Sequence, residues 1–187
     1  MNAAFLPSRM RFSVDHYHKM IAAGVLTKYD HVELIDGEIL EMAPIGSPHT
    51  ATTALLCERL TFALQRAATI SVGGAVVLGD FSEPEPDVMV LARREDFYRT
   101  KHPVASEVLL LIEVSDSSLA YDQGIKRALY ARYGIHEYWV VDLAGRRVFT
   151  YREPGESGYA YSRASSHAET ISPLAFPALQ LSVRELF

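Results

Sequence analysis

The chain has 187 residues, 49% of them hydrophobic, with a formal net charge of −5 and a single cysteine. That size suits one domain, residues 1–187, with a sizeable core, and the lone Cys57 excludes an internal disulfide. The acidic balance argues against strong nonspecific attachment to nucleic acid, which depends on cations neutralising phosphates. No run approaches the ~20 apolar residues that cross a bilayer. The opening MNAAFLPSRMRF lacks the apolar centre of a secretory signal, so a cytoplasmic protein with no membrane partner is expected.

In chain order, residues 13–23 predict a short helix capped by Ser13, with Tyr17, Met20 and Ile21 on one face and Gly24 as its stop. VELIDGEILEM predicts a hairpin, because Asp36-Gly37 supplies the positive φ angles of a two-residue type I′ turn. Ser47 as N-cap and Pro48 at the first helical position open a long helix. Its stripe of Leu56, Leu60, Ala63, Leu64 and Ala67 should cover a sheet. Cys57 on this helix reads as a small buried apolar residue.

Strands follow at about 70–77 and 87–91, then a polar connection with a short helix near 93–99. Arg93, Arg94, Arg99 and Lys101 there read either as a solvated helix face or as a patch that meets a phosphate backbone. The strand at 108–114 carries VLLLI without alternation, the mark of a central strand covered on both faces. A helix over 119–133, with Ile125, Ala128 and Leu129 apolar, ends at Gly134. The strand EYWVVDL returns parallel to the previous one through this crossover. Residues 146–152 and 158–163 extend the sheet as an antiparallel meander around EPGESG. The fold class is therefore α/β (α+β): a mixed central sheet flanked by helices, with an N-terminal hairpin and a C-terminal meander.

Asp87 opens one apolar strand in PEPDVMVL, and Glu113 lies near the end of another in EVLLLIEV. Two carboxylates on neighbouring strands suit a hard divalent cation such as Mg²⁺, which prefers oxygen ligands on rigid backbone. The same residues also read as two unrelated strand-end acids. Lys126 reads on sequence alone as a helix-surface residue paired at i,i+4 with Asp122.

The order of VELIDGEIL, a helix beginning near His49, PEPDVMV, LLLIEVSDSS, Asp122 to Lys126 and YARYGIHEYWVVD resembles the PD-(D/E)XK nuclease superfamily. Within it, the chain is most similar to the Uma-type family of restriction endonuclease-like domains, catalogued as a domain of unknown function. The resemblance implies a metal-dependent DNA endonuclease that hydrolyses phosphodiester bonds with Mg²⁺ or Mn²⁺. Asp87 and Glu113 are then metal ligands, joined by the backbone carbonyl of Val114. The superfamily's lysine two positions beyond the glutamate is Ser115 here, and the family pattern places that role on Lys126.

His49 matches a family histidine and is a further metal ligand on this reading, or else a polar residue near a helix start. Glu33, Glu38 and Glu41 are hairpin acids that either border the cleft or are solvated, with Glu33 the best motif match. Of Tyr130, Tyr133, Tyr138 and Trp139, which read mainly as packing residues, Tyr130 stands one turn beyond Lys126 as a candidate for base stacking. The loop departs from the family at Asp116, where proline is usual. A homodimer is expected, since a duplex cutter needs two active sites. The alternative is a non-catalytic member that binds nucleic acid or protein on the same scaffold.

Overall fold

The computed structural model describes residues 9–27 and 29–187. Residues 1–8, with most of the segment that lacks a signal-like centre, lie outside the described residues. The chain divides into two compact units: one made of the chain up to Met42 with Val77–Pro84, the other of Ala43–Val76 with Glu85–Phe187. Among the described residues no helix is long and apolar enough to cross a membrane.

In the first unit, helix α1 (Val14–Ala22) starts at a capping box. The Ser13 hydroxyl accepts the His16 N–H, and the His16 ring accepts the Ser13 N–H. Tyr17 is the buried residue of α1, and its hydroxyl donates to the Val32 carbonyl at 2.9 Å. Ile21, expected on the same buried face, is exposed. Strands β1 (Val32–Ile35) and β2 (Glu38–Glu41) pair antiparallel about Asp36 (φ +50°) and Gly37 (φ +82°), the two left-handed residues of a type I′ turn. A Cβ at Gly37 would stand 2.7 Å from Arg11 Cβ, so this turn needs glycine for space as well as for φ.

The second unit is built on a six-stranded mixed sheet of order β3-β4-β5-β6-β7-β8. It opens with α2 (Ser47–Leu64), whose N-cap is Gly46, one residue earlier than expected; Ser47 and Pro48 are its first residues. Strand β3 (Ala68–Val72) is shorter than predicted, because Gly73 (φ +59°) turns the chain out of the sheet. Strands β4 (Val88–Ala92) and β5 (Val108–Ser115) follow, antiparallel to each other. The helix expected near 93–99 does not form. Arg94 holds Asp96 through two N–H groups, and Phe97 and Tyr98 both adopt positive φ, incompatible with a right-handed helix.

The crossover after β5 comprises α3 (Leu119–Tyr121), a π-turn over Asp122–Lys126 and α4 (Arg127–Arg132). It delivers β6 (Glu137–Asp142) parallel to β5, as the sequence predicts. The meander then runs through β7 (Arg147–Gly155) and β8 (Gly158–Ser166), and the short β9 (Thr170–Ile171) and β10 (Leu181–Ser182) form a separate pair.

Leu56, Leu60 and Leu64 of α2 pack on Val88, Val90, Leu110, Ile112, Val114, Trp139 and Val141, and the chain end closes this core with Val183 and Leu186. Each such leucine contributes about 1.5–3 kcal/mol by leaving water. Ala63 and Ala67, expected in the stripe, are exposed. Because side chains alternate along a strand, assigning Ile112 and Val114 to the α2 face puts Glu113 and Ser115 on the opposite face. That alternation determines where the site is built.

Candidate active site

Asp87 stands immediately before β4, and Glu113 lies on β5, the next strand. The Asp87 carboxylate accepts the Val114 N–H at 2.7 Å, and the Asp87 N–H faces Glu113 Oε2 at 3.4 Å. The two acids are thus interlocked through each other's backbone. Ser115 turns its carbonyl toward the far side of β5, where Leu143 N–H donates to it. Val114, one residue earlier, points its N–H toward Asp87.

Lys126 is buried, and its ammonium lies 3.0 Å from Glu113 Oε1. Tyr130, one turn further along, donates its hydroxyl to the same oxygen at 2.7 Å. Its ring is fully buried and meets Tyr138 edge-on, so Tyr130 acts through its hydroxyl and has no open face for a base. Burial, reinforced by the charges of Glu113 and Asp122, pushes the Tyr138 hydroxyl well above its ordinary range. It stays protonated and donates to the Asp122 carbonyl.

His49, in the first turn of α2, completes the group: its Nε2 is 2.9 Å from Asp87 Oδ1. The hydrogen bond to Asp87 is the main cause that raises the His49 pKa; burial opposes it, and the charges of Asp87, Asp116 and Asp122 add to it. The other ring nitrogen, Nδ1, is buried with no hydrogen-bond partner. Asp87 links the other two: its carboxylate meets the His49 ring and its backbone N–H faces Glu113. By donor chemistry, carboxylate oxygens suit Mg²⁺ and an imidazole nitrogen suits Mn²⁺.

A family model described as "Uma2: Putative restriction endonuclease" matches residues 14–184. The chain belongs to this Uma2 family. The Uma2 chain is also similar in fold to a crystal structure described as a putative nuclease belonging to DUF820, from Anabaena variabilis. The TM-score is 0.77 at 20% identity, over 94% of this chain and 97% of that one. No curated protein matches it.

Within the Uma2 chain, the structure brings Asp87, Glu113, Lys126, Tyr130 and His49 together. Glu33 is buried on β1 of the first unit, whereas Glu38 and Glu41 are exposed on β2. The basic group near 93–101 lies at the other end of β4 from Asp87, about 17 Å along a five-residue strand. There Arg94 is bound to Asp96 and Glu107, and Arg93 stacks on the Phe97 ring at 4.2 Å.

Sequence reading gave Ser115 no role and left Asp122 as an i,i+4 partner of Lys126 outside the metal set. Asp122 is buried, and one oxygen of its carboxylate accepts the hydroxyls of Ser115 at 2.7 Å and Ser118 at 2.6 Å. The available signal was SDSS followed by Asp122: a run of short hydroxyls and acids directly after a buried strand.

Proposed function

We propose that the protein is a metal-dependent DNA endonuclease that hydrolyses phosphodiester bonds with Mg²⁺ or Mn²⁺. The observation that carries this reading is the meeting of Asp87, Glu113 and Lys126 at the junction of β4, β5 and the π-turn. Asp87, Glu113 and the Val114 carbonyl are the residues to hold the ion, with His49 as an added ligand. A bound divalent ion supplies Lewis acidity and a water of lowered pKa.

The chain's own residues account for the rest. Lys126 places a fixed positive charge beside Glu113, where it orients the attacking water and offsets charge growing on the phosphate oxygens. The Tyr130 hydroxyl holds Glu113 Oε1 in place, which directs the carboxylate toward Asp87. Two copies are proposed to act together on duplex DNA, one per strand, in the cytoplasm. Light scattering of the purified protein tests the pairing.

The deciding experiment titrates Mn²⁺ and Mg²⁺ against plasmid DNA, single-stranded DNA, RNA and a small phosphodiester, for the wild type and for Glu113→Ala, Asp87→Ala and Lys126→Ala. Metal-dependent cleavage of DNA that is lost in all three variants is expected. Full activity in Glu113→Ala refutes the assignment. The net charge of −5 favours one second reading, a non-catalytic member that binds a partner on this scaffold. Metal binding with no cleavage of any substrate supports that reading instead.

A further inference from the structure

We propose that Asp122 is a positioning residue: held by the Ser115 and Ser118 hydroxyls, its buried carboxylate pins the π-turn that seats Lys126 on Glu113. Four observations lead there. First, the crossover is not a regular helix, because the Arg127 N–H reaches back to the Asp122 carbonyl across five residues. A π-turn admits one extra residue, which rotates everything after it by about 100° about the helix axis.

Second, the residues so rotated are those of the site. Asp122 and Lys126 are buried although charged, while Ile125 between them is 52% exposed although apolar. Packing alone would place them the other way round. Third, residue 122 is anchored twice. Its side chain takes one hydroxyl from β5 and one from the following loop, and its carbonyl takes the Tyr138 hydroxyl from β6 as well as the Arg127 N–H. Fourth, burying a carboxylate is costly unless it is hydrogen-bonded, so a carboxylate bound by two neutral hydroxyls is not there to strengthen the core. Its effect is geometric: it ties the strand that carries Glu113 to the turn that carries Lys126.

The inference rests on the nuclease reading only for the purpose Lys126 serves, and it is tested without substrate. Acetic anhydride labelling followed by mass spectrometry measures the acetylation rate of Lys126, with the exposed Lys19 as internal control. Asp122→Ala and Ser115→Ala are expected to speed labelling of Lys126 roughly tenfold by opening the turn locally, with Lys19 unchanged. Asp122→Asn keeps an oxygen that accepts both hydroxyls and should return Lys126 to near the wild-type rate.

Amide hydrogen exchange separates positioning from general loosening. Lost protection confined to residues 122–130 supports the proposal, whereas equal loss through β5 and β6 overturns it. If Asp122→Ala does not fold, Ser115→Ala carries the test. Unchanged labelling of Lys126 in the folded variants sinks the positioning role even if the wild type cuts DNA. A wild type that cuts nothing, but whose variants release Lys126, refutes the nuclease reading alone.

Discussion

Glu113 concentrates the electrostatics of the site, with an ammonium and a phenol on one oxygen and a backbone N–H before the other. On the proposed metal-dependent mechanism, replacing it by glutamine, or Asp87 by asparagine, is expected to lower kcat by about 10²-fold or more, since each would remove charge from the ion site. Tyr130→Phe removes a hydrogen bond to an ionised group, about 1.5–3 kcal/mol, and should lower kcat about tenfold or more with little change in fold. Steady-state cleavage assays with circular dichroism check both.

His49 gives a pH signature. Because Asp87 raises its pKa in the folded protein, the imidazolium–carboxylate pair stabilises the metal-free protein fully below the ordinary histidine value of 6.5. That contribution is lost as pH rises through the higher folded-state value. The Tm difference between wild type and His49→Gln in chelator should therefore be largest in acid and shrink toward alkaline pH. If His49 is a ligand as proposed, Mn²⁺ would compete with the same proton, and its affinity should rise over that range. A pH-independent Tm difference refutes the pair. Asp87 and Glu113 were legible as candidates because strand-end acids are visible against apolar runs. The meeting of Lys126 with Glu113 was legible only through the family resemblance, since i,i+4 spacing by itself points to Asp122.

At the scale of elements, α2 and the sheet followed hydrophobic periodicity. Leu60→Ala, at a fully buried position, is expected to cost about 2–5 kcal/mol by creating a cavity, read from urea unfolding. Glu137 on β6 is fully buried and bound by Arg152, the Trp139 indole N–H and the Leu174 N–H, which ties the C-terminal segment to the sheet. Arg152→Ala strands that carboxylate and should cost about 3–5 kcal/mol. Neither the π-turn nor the left-handed pair Phe97-Tyr98 could be read in advance. Helical templates assume a constant 3.6-residue phase, which neither segment keeps. Of the apolar residues Ile125, Ala128 and Leu129 in this helix, Leu129 alone is buried, and Ile125 and Ala128 are exposed.

For the whole molecule, an acidic chain that collects carboxylates should gain stability when an ion neutralises them. Saturating Mn²⁺ at a hundred times its Kd adds about 2.7 kcal/mol to the folded state, so Tm should rise in wild type and much less in Glu113→Ala. With a net charge of −5, DNA affinity in chelator should be weak, with a shallow salt dependence because few phosphates are neutralised, and Ca²⁺ should strengthen it through the same acids. Fluorescence anisotropy on a labelled duplex checks this; Ca²⁺-independent binding argues for the partner-binding reading.

The strands of the main sheet, helix α2, the Asp36-Gly37 hairpin, the parallel crossover and the two acids as candidates were written in local pattern. Periodicity, turn chemistry and chain handedness act over a few residues and survive without the rest of the fold. The rotation of Lys126 onto Glu113, the hydroxyl of Tyr130 at the same oxygen and the burial of Asp122 under two serines belong to the assembled protein. They join residues 4 to 17 positions apart across a strand, a loop and a distorted helix. Such contacts are set by desolvation and hydrogen-bond satisfaction in the finished core, which no linear spacing encodes.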